Sequence, residues 1–487
     1  MNNSGTLVDR QLEAGRADKV AIRCAGETVT YAELHDRICR VGNVLAELGV
    51  GREDRVLMVL DDSPTFAALF LGAMRCGAVP APVSFLDTTE NFTHYARDSY
   101  AQLIVGEDAL VERLPEGAMA RSQFEALMGE AAGERAPADT HPDDMAFWLF
   151  SGGSTGFPKG VVHLHHDIPY TCETFAKEIL RIQENDVTFS STKLYHAYGL
   201  GNNLTFPYWV GATTVLRPGR PDPAGLLETA VAERPSLLFS VPTLYGAMVN
   251  LPEAGTHDLS SVRMCVSAAE PLAPEVLRRW RDCFALDIVD GVGSTEMLHI
   301  YCSNRPDDIH PGTSGKPVPG YELMLLDEQH RPVADGEVGN LWVRGDSALA
   351  FYWHQHEKTK ATLHGDLFFT GDRYRVDAGG NYVYEGRADD MIKIGGLWAS
   401  PIEIENVLVE HPRVLEAAAV GVEADYTTRV KAFVVARGEP GDDALVAELQ
   451  QWCKTRLRRY EYPHFIVFVD ELPKTPTGKI QRYKLRG

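Results

Sequence analysis

The sequence is short of positive charge, of patterned cysteine and of long apolar runs, and each shortage excludes something. Lysine and arginine number 47 against 68 aspartates and glutamates, a net charge of −21. Nucleic-acid and anionic-membrane binders need basic surface, so neither a nucleic acid nor a membrane is an expected partner. An anionic nucleotide in a locally positive cleft stays open. The eight cysteines (Cys24, Cys39, Cys76, Cys172, Cys265, Cys283, Cys302, Cys453) include no C-x-x-C pair, which in 487 residues reads as a reduced, cytoplasmic protein. The longest apolar stretch, residues 66–74, ends at Arg75 and is too short to span a bilayer. The first ten residues lack the basic start and apolar block of a signal peptide.

What is present is ordinary in bulk, with 44% hydrophobic and 24% charged residues, and specific in detail. Ser151-Gly-Gly-Ser-Thr-Gly-Phe-Pro-Lys-Gly160 lies between the apolar runs Ala146-Phe-Trp-Leu-Phe150 and Val161-Val162. Glycines let successive backbone N–H groups turn toward one anion, hydroxyls add donors and Lys159 adds charge. That is phosphate-cradle chemistry, although Gly/Ser-rich sequence by default forms an exposed loop. A Walker A loop is excluded: counting from Gly153, Pro158 stands where its second glycine belongs and Gly160 where its magnesium-binding hydroxyl belongs.

Other clusters carry chemistry of the same kind. Gly291-Val-Gly-Ser-Thr-Glu296 follows a strand-like run and offers a hydroxyl and a hard carboxylate, suited to a phosphate ester and a magnesium ion. Thr370-Gly-Asp372 and Gly386-Arg387 supply a carboxylate for two ribose hydroxyls and a fixed set of donors beside it. Each is also a common turn sequence. His163-Leu-His-His166 invites a metal reading that the lack of other ligands at metal spacing rejects.

Together these runs resemble the adenylate-forming superfamily of acyl-CoA ligases, peptide-synthetase adenylation domains and luciferases. The loop follows its [ST]-[SG]-G-[ST]-T-G-x-P-K-G order, residues 291–296 its Y-G-x-T-E motif with Val292 replacing the tyrosine, and Ser267-Ala-Ala-Glu-Pro271 its adenine-wall segment. Pro473-Lys-Thr-Pro-Thr-Gly-Lys-Ile-Gln-Arg482 matches its P-x-[ST]-x-x-G-K-[IV]-x-R motif. The resemblance implies that Ser151, Gly152, Gly153, Ser154, Thr155, Gly156 and Lys159 grip the β- and γ-phosphates of ATP. Ala269, Glu270, Asp290 and Gly291 would line the adenine, with Asp290 reaching its amino group. Asp372 and Arg387 would hold the ribose, Thr295 the α-phosphate and Glu296 the Mg2+. Lys479 becomes the catalytic lysine, Asp389 a hinge, and Gly395 and Gly396 the lining of a pantetheine channel.

The closest resemblance is to benzoate-CoA ligases and their aryl relatives, carried by Lys193-Leu-Tyr-His-Ala-Tyr-Gly-Leu-Gly-Asn202, Thr205-Phe-Pro207, Val241-Pro-Thr-Leu-Tyr245 and Ser294-Thr-Glu-Met-Leu-His-Ile300. It implies an aryl pocket of Ala197, Tyr198, Gly199, His299 and Ile300, gated by His196. The implied reaction joins an aromatic acid to ATP as acyl-adenylate, then to the thiol of coenzyme A. One departure keeps a second acceptor open. Where these ligases carry a basic pair, this chain has Tyr460-Glu-Tyr-Pro-His464, and a glutamate there opposes the CoA 3′-phosphate. A carrier-protein phosphopantetheine has no such phosphate. A luciferase-type oxygenase would share every ATP residue.

The expected fold is α/β. A large N-terminal domain of stacked α/β sheets with a small β-rich subdomain (residues 1–386) would join, through a hinge at 387–390, a small mobile α+β domain (391–487). Strand–helix alternation with apolar strands predicts a mainly parallel sheet covered on both faces. Residues 312–384 read as short strands and turns, and residues 443–459 as a helix.

Overall fold

The computed structural model describes residues 1–153, 156–387, 390–394, 397–424, 427–474 and 480–486. Its layers follow from the apolar runs. The four-residue runs Thr213–Leu216, Leu237–Ser240 and Met264–Ser267 are buried throughout, as strands covered on both faces must be. They belong to a nine-stranded sheet in the order Lys316–Pro317, Ile300–Ser303, Ile288–Gly293, Met264–Ser267, Leu237–Ser240, Val187–Ser190, Thr213–Leu216, Val20–Cys24, Glu27–Thr30. The pairings from Ile288–Gly293 to Val20–Cys24 are parallel, and both edges are antiparallel.

A second, four-stranded parallel sheet contains Val79–Pro82, Arg55–Val59, Leu103–Gly106 and Met119–Ala120. The apolar run at 66–74 is the centre of the helix Pro64–Arg75, every residue of which is buried. A helix apolar on all sides is stable only when covered on all sides. Ser63 caps it by accepting from the Phe66 N–H at 3.1 Å, and Pro64 opens it. Among the described residues no helix is long and apolar enough to cross a membrane.

The β-rich region is a five-stranded sheet, Glu322–Leu326, Gly339–Arg344, Leu367–Val376 and Leu363–His364, with Tyr382–Arg387 also paired to Leu367–Val376. The C-terminal unit has its own core under a three-stranded sheet of Val414–Ala424, Thr427–Ala436 and Phe465–Phe468, with the helices Pro401–Val409 and Asp443–Lys454. The last helix stops at Lys454, five residues before its expected end at 459. There the Arg456 and Leu457 N–H groups both turn back to the Cys453 carbonyl, which brings Leu457 into the core.

Candidate active site

The two apolar runs around the glycine-rich segment pair with each other. Met145–Gly153 and Gly156–Leu164 form an antiparallel hairpin, and the segment is its tip. The register sets Ser151 directly opposite Lys159, so both side chains leave the same face. A third strand, Phe351–Tyr352, lies on the outer edge of Gly156–Leu164 with Tyr352 opposite Val161.

These strands converge on Glu296. It sits in the short 3-10 turn Thr295–Met297, whose carbonyl at Glu296 accepts from the Leu349 N–H at 2.7 Å. Its Oε1 accepts from the Tyr352 hydroxyl at 2.9 Å and from Ser151 Oγ at 3.2 Å, and lies 3.6 Å from Lys159 Nζ. Lys159 Nζ also stands 4.4 Å above the Tyr352 ring. Burial lowers the Lys159 ammonium, against the opposing pull of Glu296. Burial, reinforced by the Glu296 charge, holds the Tyr352 phenol protonated far above its ordinary range. The site therefore presents one carboxylate, one ammonium and two hydroxyls to a common point.

The strand before Glu296 is longer than its sequence indicates. Residues 291–293 continue Ile288–Gly293 because they pair antiparallel with Ile300–Ser303. A Cβ on Gly293 would stand 2.5 Å from the His299 carbonyl oxygen, so this glycine answers a close approach of two strands. Asp290 is buried, with no hydrogen-bond partner at Oδ1, and desolvation raises it well above the carboxylate range despite Ser267. Ala269 takes φ +75°, a left-handed conformation costing a residue with a Cβ about 1 kcal/mol. Glu270 accepts from the Thr243 N–H at 3.2 Å and from the Thr243 hydroxyl. That carboxylate caps the helix Pro242–Val249, with Thr243 in its first turn.

Asp372 and Arg387 are direct cross-strand partners. Arg387 Nη1 donates to Asp372 Oδ1 and to the Thr370 carbonyl, each at 3.2 Å.

The expected aryl-pocket residues also come together. Ala197, Tyr198 and Gly199 lie in the short helix Ala197–Leu200, which follows His196. A Cβ on Gly199 would meet the Lys193 carbonyl at 2.2 Å, so the turn closes only on glycine. The Tyr198 hydroxyl donates to the Val266 carbonyl at 3.0 Å. His299 is buried with its ring 4.5 Å from Phe206, 5.2 Å from Phe175 and 5.5 Å from Tyr198, and its Nε2 is 3.2 Å from Asn202 Oδ1. Burial lowers His299 to about 3 and His196 to about 4, so both are neutral at pH 7. Leu298, with φ +64° and the His299 N–H bonded to the Met297 carbonyl at 2.8 Å, forms a γ-turn that separates His299 and Ile300 from Glu296.

Ser154, Thr155, Asp389, Gly395, Gly396 and Lys479 lie outside the described residues. Among the described residues no group of three or more His, Cys, Asp or Glu could hold a metal ion. Sequence reasoning missed Tyr352, Phe175, Phe206 and Asn202 as site residues. Phe206 and Asn202 stand inside runs that carried the aryl-ligase resemblance, but Tyr352 had no motif, and only the strand pairing discloses it.

An α/β fold with a phosphate-loop-like hairpin and a Thr-Glu turn at one point defines the class of nucleotide-dependent, adenylate-forming enzymes. The family model described as AMP-binding enzyme matches residues 8–353, and that of the AMP-binding enzyme C-terminal domain matches residues 403–479. The chain belongs to this family. It is 44% identical to a benzoate–CoA ligase of Thauera aromatica, over 100% of this chain and 96% of the relative. It is 41% identical to a 4-hydroxybenzoate–CoA/benzoate–CoA ligase of Rhodopseudomonas palustris, over 100% and 94%. The crystal structure of a benzoate CoA ligase from Burkholderia xenovorans LB400 superimposes with a TM-score of 0.93 at 42% identity, covering 100% of both chains.

Proposed function

We propose that the protein activates an aromatic carboxylic acid, benzoate or a ring-substituted benzoate, with ATP and transfers the acyl group to coenzyme A. The products are aryl-CoA, AMP and pyrophosphate. The observation that carries this reading is the meeting of Ser151, Lys159 and Tyr352 at Glu296, three residues in sequence from a pocket walled by His299, Tyr198 and Phe206. Those walls are uncharged at pH 7 and offer ring faces, which suits a flat apolar acid.

The residues take roles in sequence. The hairpin tip and Lys159 hold the β- and γ-phosphates. Thr295 faces the α-phosphate, Asp290 and Ala269 the adenine, and Asp372 with Arg387 the ribose. The orphaned Asp290 Oδ1 is a buried acceptor that an exocyclic amino group would satisfy. Glu296 is a hard oxygen donor that would hold Mg2+, and the ion would supply neutralisation of phosphate charge there. A carboxylate is a poor electrophile, so it first attacks the α-phosphorus and displaces pyrophosphate. Lys479 would bridge carboxylate and α-phosphate as charge builds, a contribution of about 3–4 kcal/mol for a preorganised donor. The thiol then attacks the mixed anhydride and AMP leaves. Lys479 and the thiol cannot occupy one side of the same carbonyl together. The unit at 391–487 therefore pivots at Asp389, withdrawing the lysine and bringing Gly395 and Gly396 to the pantetheine.

Coenzyme A is favoured over a carrier protein by the fate of Glu461. Its side chain is 1% exposed and turns inward, accepting from the Arg458 N–H at 3.0 Å and standing 3.5 Å from Arg458 Nη1. A carboxylate so engaged does not confront a bound 3′-phosphate, and Arg456 and Arg459 remain beside it in sequence.

The test is ATP–pyrophosphate exchange across aryl and short aliphatic acids, then thiol capture with CoA against a holo carrier protein. Exchange is expected with benzoate or a substituted benzoate. Lys479→Ala should abolish it while thioester formation from preformed aryl-adenylate survives. Exchange confined to fatty or amino acids would overturn the aryl assignment.

A further inference from the structure

His163, which the rejected metal reading had raised, and Asp167 lie directly behind the Thr295-Glu296 turn. Both side chains are fully buried. His163 Nδ1 is 2.7 Å from Asp167 Oδ2, and His163 Nε2 is 2.8 Å from the Thr295 carbonyl oxygen. A carbonyl oxygen only accepts, so Nε2 carries a proton. Asp167 Oδ2 also accepts from the Leu164 N–H at 3.1 Å, and Asp167 Oδ1 stands 3.0 Å from His166 Nε2. Nδ1 therefore faces a carboxyl group that is itself anchored to the backbone at the end of the same strand.

We propose that His163, clamped between Asp167 and the Thr295 carbonyl, is the positioning residue that sets the Thr295-Glu296 turn against the phosphate-loop hairpin. The inference rests on the reading above that this turn faces the nucleotide. His163 is on the strand Gly156–Leu164, the same strand that carries Lys159. Lys159 and His163 are four residues apart and leave the same face of this strand, so one rigid element sets both against the turn. The Leu349 N–H holds the Glu296 carbonyl from a third direction. The Phe147 ring stacks on His163 at 5.2 Å, which fixes the imidazole plane. The charged groups around the pair are few: His166 and, beyond it, Asp143 on the Asp167 side, and Glu296 with Lys159 on the Thr295 side. A carboxyl–imidazole–carbonyl chain of this kind holds a backbone segment through the two hydrogen bonds of a fully buried ring.

ATP binding by the parent protein is the precondition: a parent protein that binds no ATP overturns the nucleotide reading, whereas the variants address His163 alone. The positioning role is read by calorimetric ATP binding in the absence of acid. His163→Leu alone strands a buried carboxyl group and risks misfolding, so the double variant His163→Leu/Asp167→Leu, which removes both partners, is the informative one. It is expected to stay folded while ATP affinity falls on the order of ten-fold. Asp167→Asn should keep the bond to Thr295 and bind ATP more tightly than the double variant. A folded double variant with unchanged ATP affinity overturns the positioning role.

Discussion

Tyr352→Phe isolates one oxygen atom of the candidate site. The substitution removes the hydroxyl that lies 2.9 Å from Glu296 Oε1 and leaves the ring that sits 4.4 Å beneath Lys159 Nζ. Tyr352 is 3% exposed, so no bulk water replaces the lost donor. A hydrogen bond to a charged acceptor contributes about 1.5–3 kcal/mol, which corresponds to a loss of roughly 10- to 150-fold in kcat/KM for ATP at about 1.4 kcal/mol per decade. Glu296 keeps Ser151 and Lys159, so the loss falls short of that for Glu296→Ala. Tyr352→Ala also removes the ring face under the ammonium, a further ~0.5–2 kcal/mol. The assay is initial-rate ATP–pyrophosphate exchange at fixed benzoate, with ATP and Mg2+ varied, and thermal midpoints to establish folding. A folded Tyr352→Phe protein with exchange within two-fold of the parent, at every Mg2+ concentration, would refute the role given to the Glu296 cluster.

Two other perturbations follow from buried or clamped histidines. His94 Nε2 donates to the Pro158 carbonyl at 2.9 Å while its ring stacks at 4.6 Å on Phe157, so it braces the hairpin tip from outside. His94→Phe keeps the stack and loses the bond, and KM for ATP should rise about five-fold, as one neutral hydrogen bond of ~1 kcal/mol implies, with kcat retained; an unchanged KM rules out the brace. His165 and His299 are lowered by burial from 6.5 to about 4 and about 3. The unfolded chain therefore binds protons near pH 6.5 that the folded chain refuses, and the stabilisation present above that pH is lost as pH falls toward 3–4. With two such groups the slope reaches at most roughly 3 kcal/mol per pH unit. His196, also lowered to about 4, adds to this slope, while the buried Asp62 and Asp290, both raised, oppose it. Urea midpoints between pH 7 and 4.5 should therefore fall less steeply in His165→Asn/His299→Asn than in the parent protein; parallel curves contradict the assignment.

What the sequence made legible was contiguous. The loop at 151–160, Thr295-Glu296 and Asp372 with Arg387 were readable because each motif compresses its chemistry into a few residues. The parallel core was readable because strands such as Leu237–Ser240 are apolar throughout. What escaped depended on register and direction. Nothing in Lys159 says that it stands opposite Ser151, since a hairpin shifted by one residue would send it to the other face. Tyr352 is almost 200 residues from Lys159 and meets it only because a two-residue strand adds to the hairpin edge. Glu461 reads in the sequence as a charge set toward an anion, whereas the structure buries it, because charge is visible in sequence and burial is not. The helix expected to reach 459 ended at Lys454 because Leu457 had a core to join, a tertiary preference that overrides local periodicity.

The same geometry couples the proposed nucleotide and acid sites. Thr295, Glu296, His299 and Ile300 lie within six residues, and the γ-turn at Leu298 separates the first two from the last two. A leucine at φ +64° costs on the order of 1–2 kcal/mol and persists only where its surroundings over-determine it. Here they do: His163 and Leu349 hold the carbonyls of Thr295 and Glu296 on one side. On the other, the Ile300–Ser303 pairing and the aromatic packing of His299 hold the chain after the turn. Released at either end, the turn would relax and move both halves. A substitution that repacks His299 for a larger acid therefore pulls on Glu296 through Leu298, and one that loosens Glu296 shifts the wall of the acid pocket. Selection of the acid and grip on the nucleotide are thus mechanically one property of this segment.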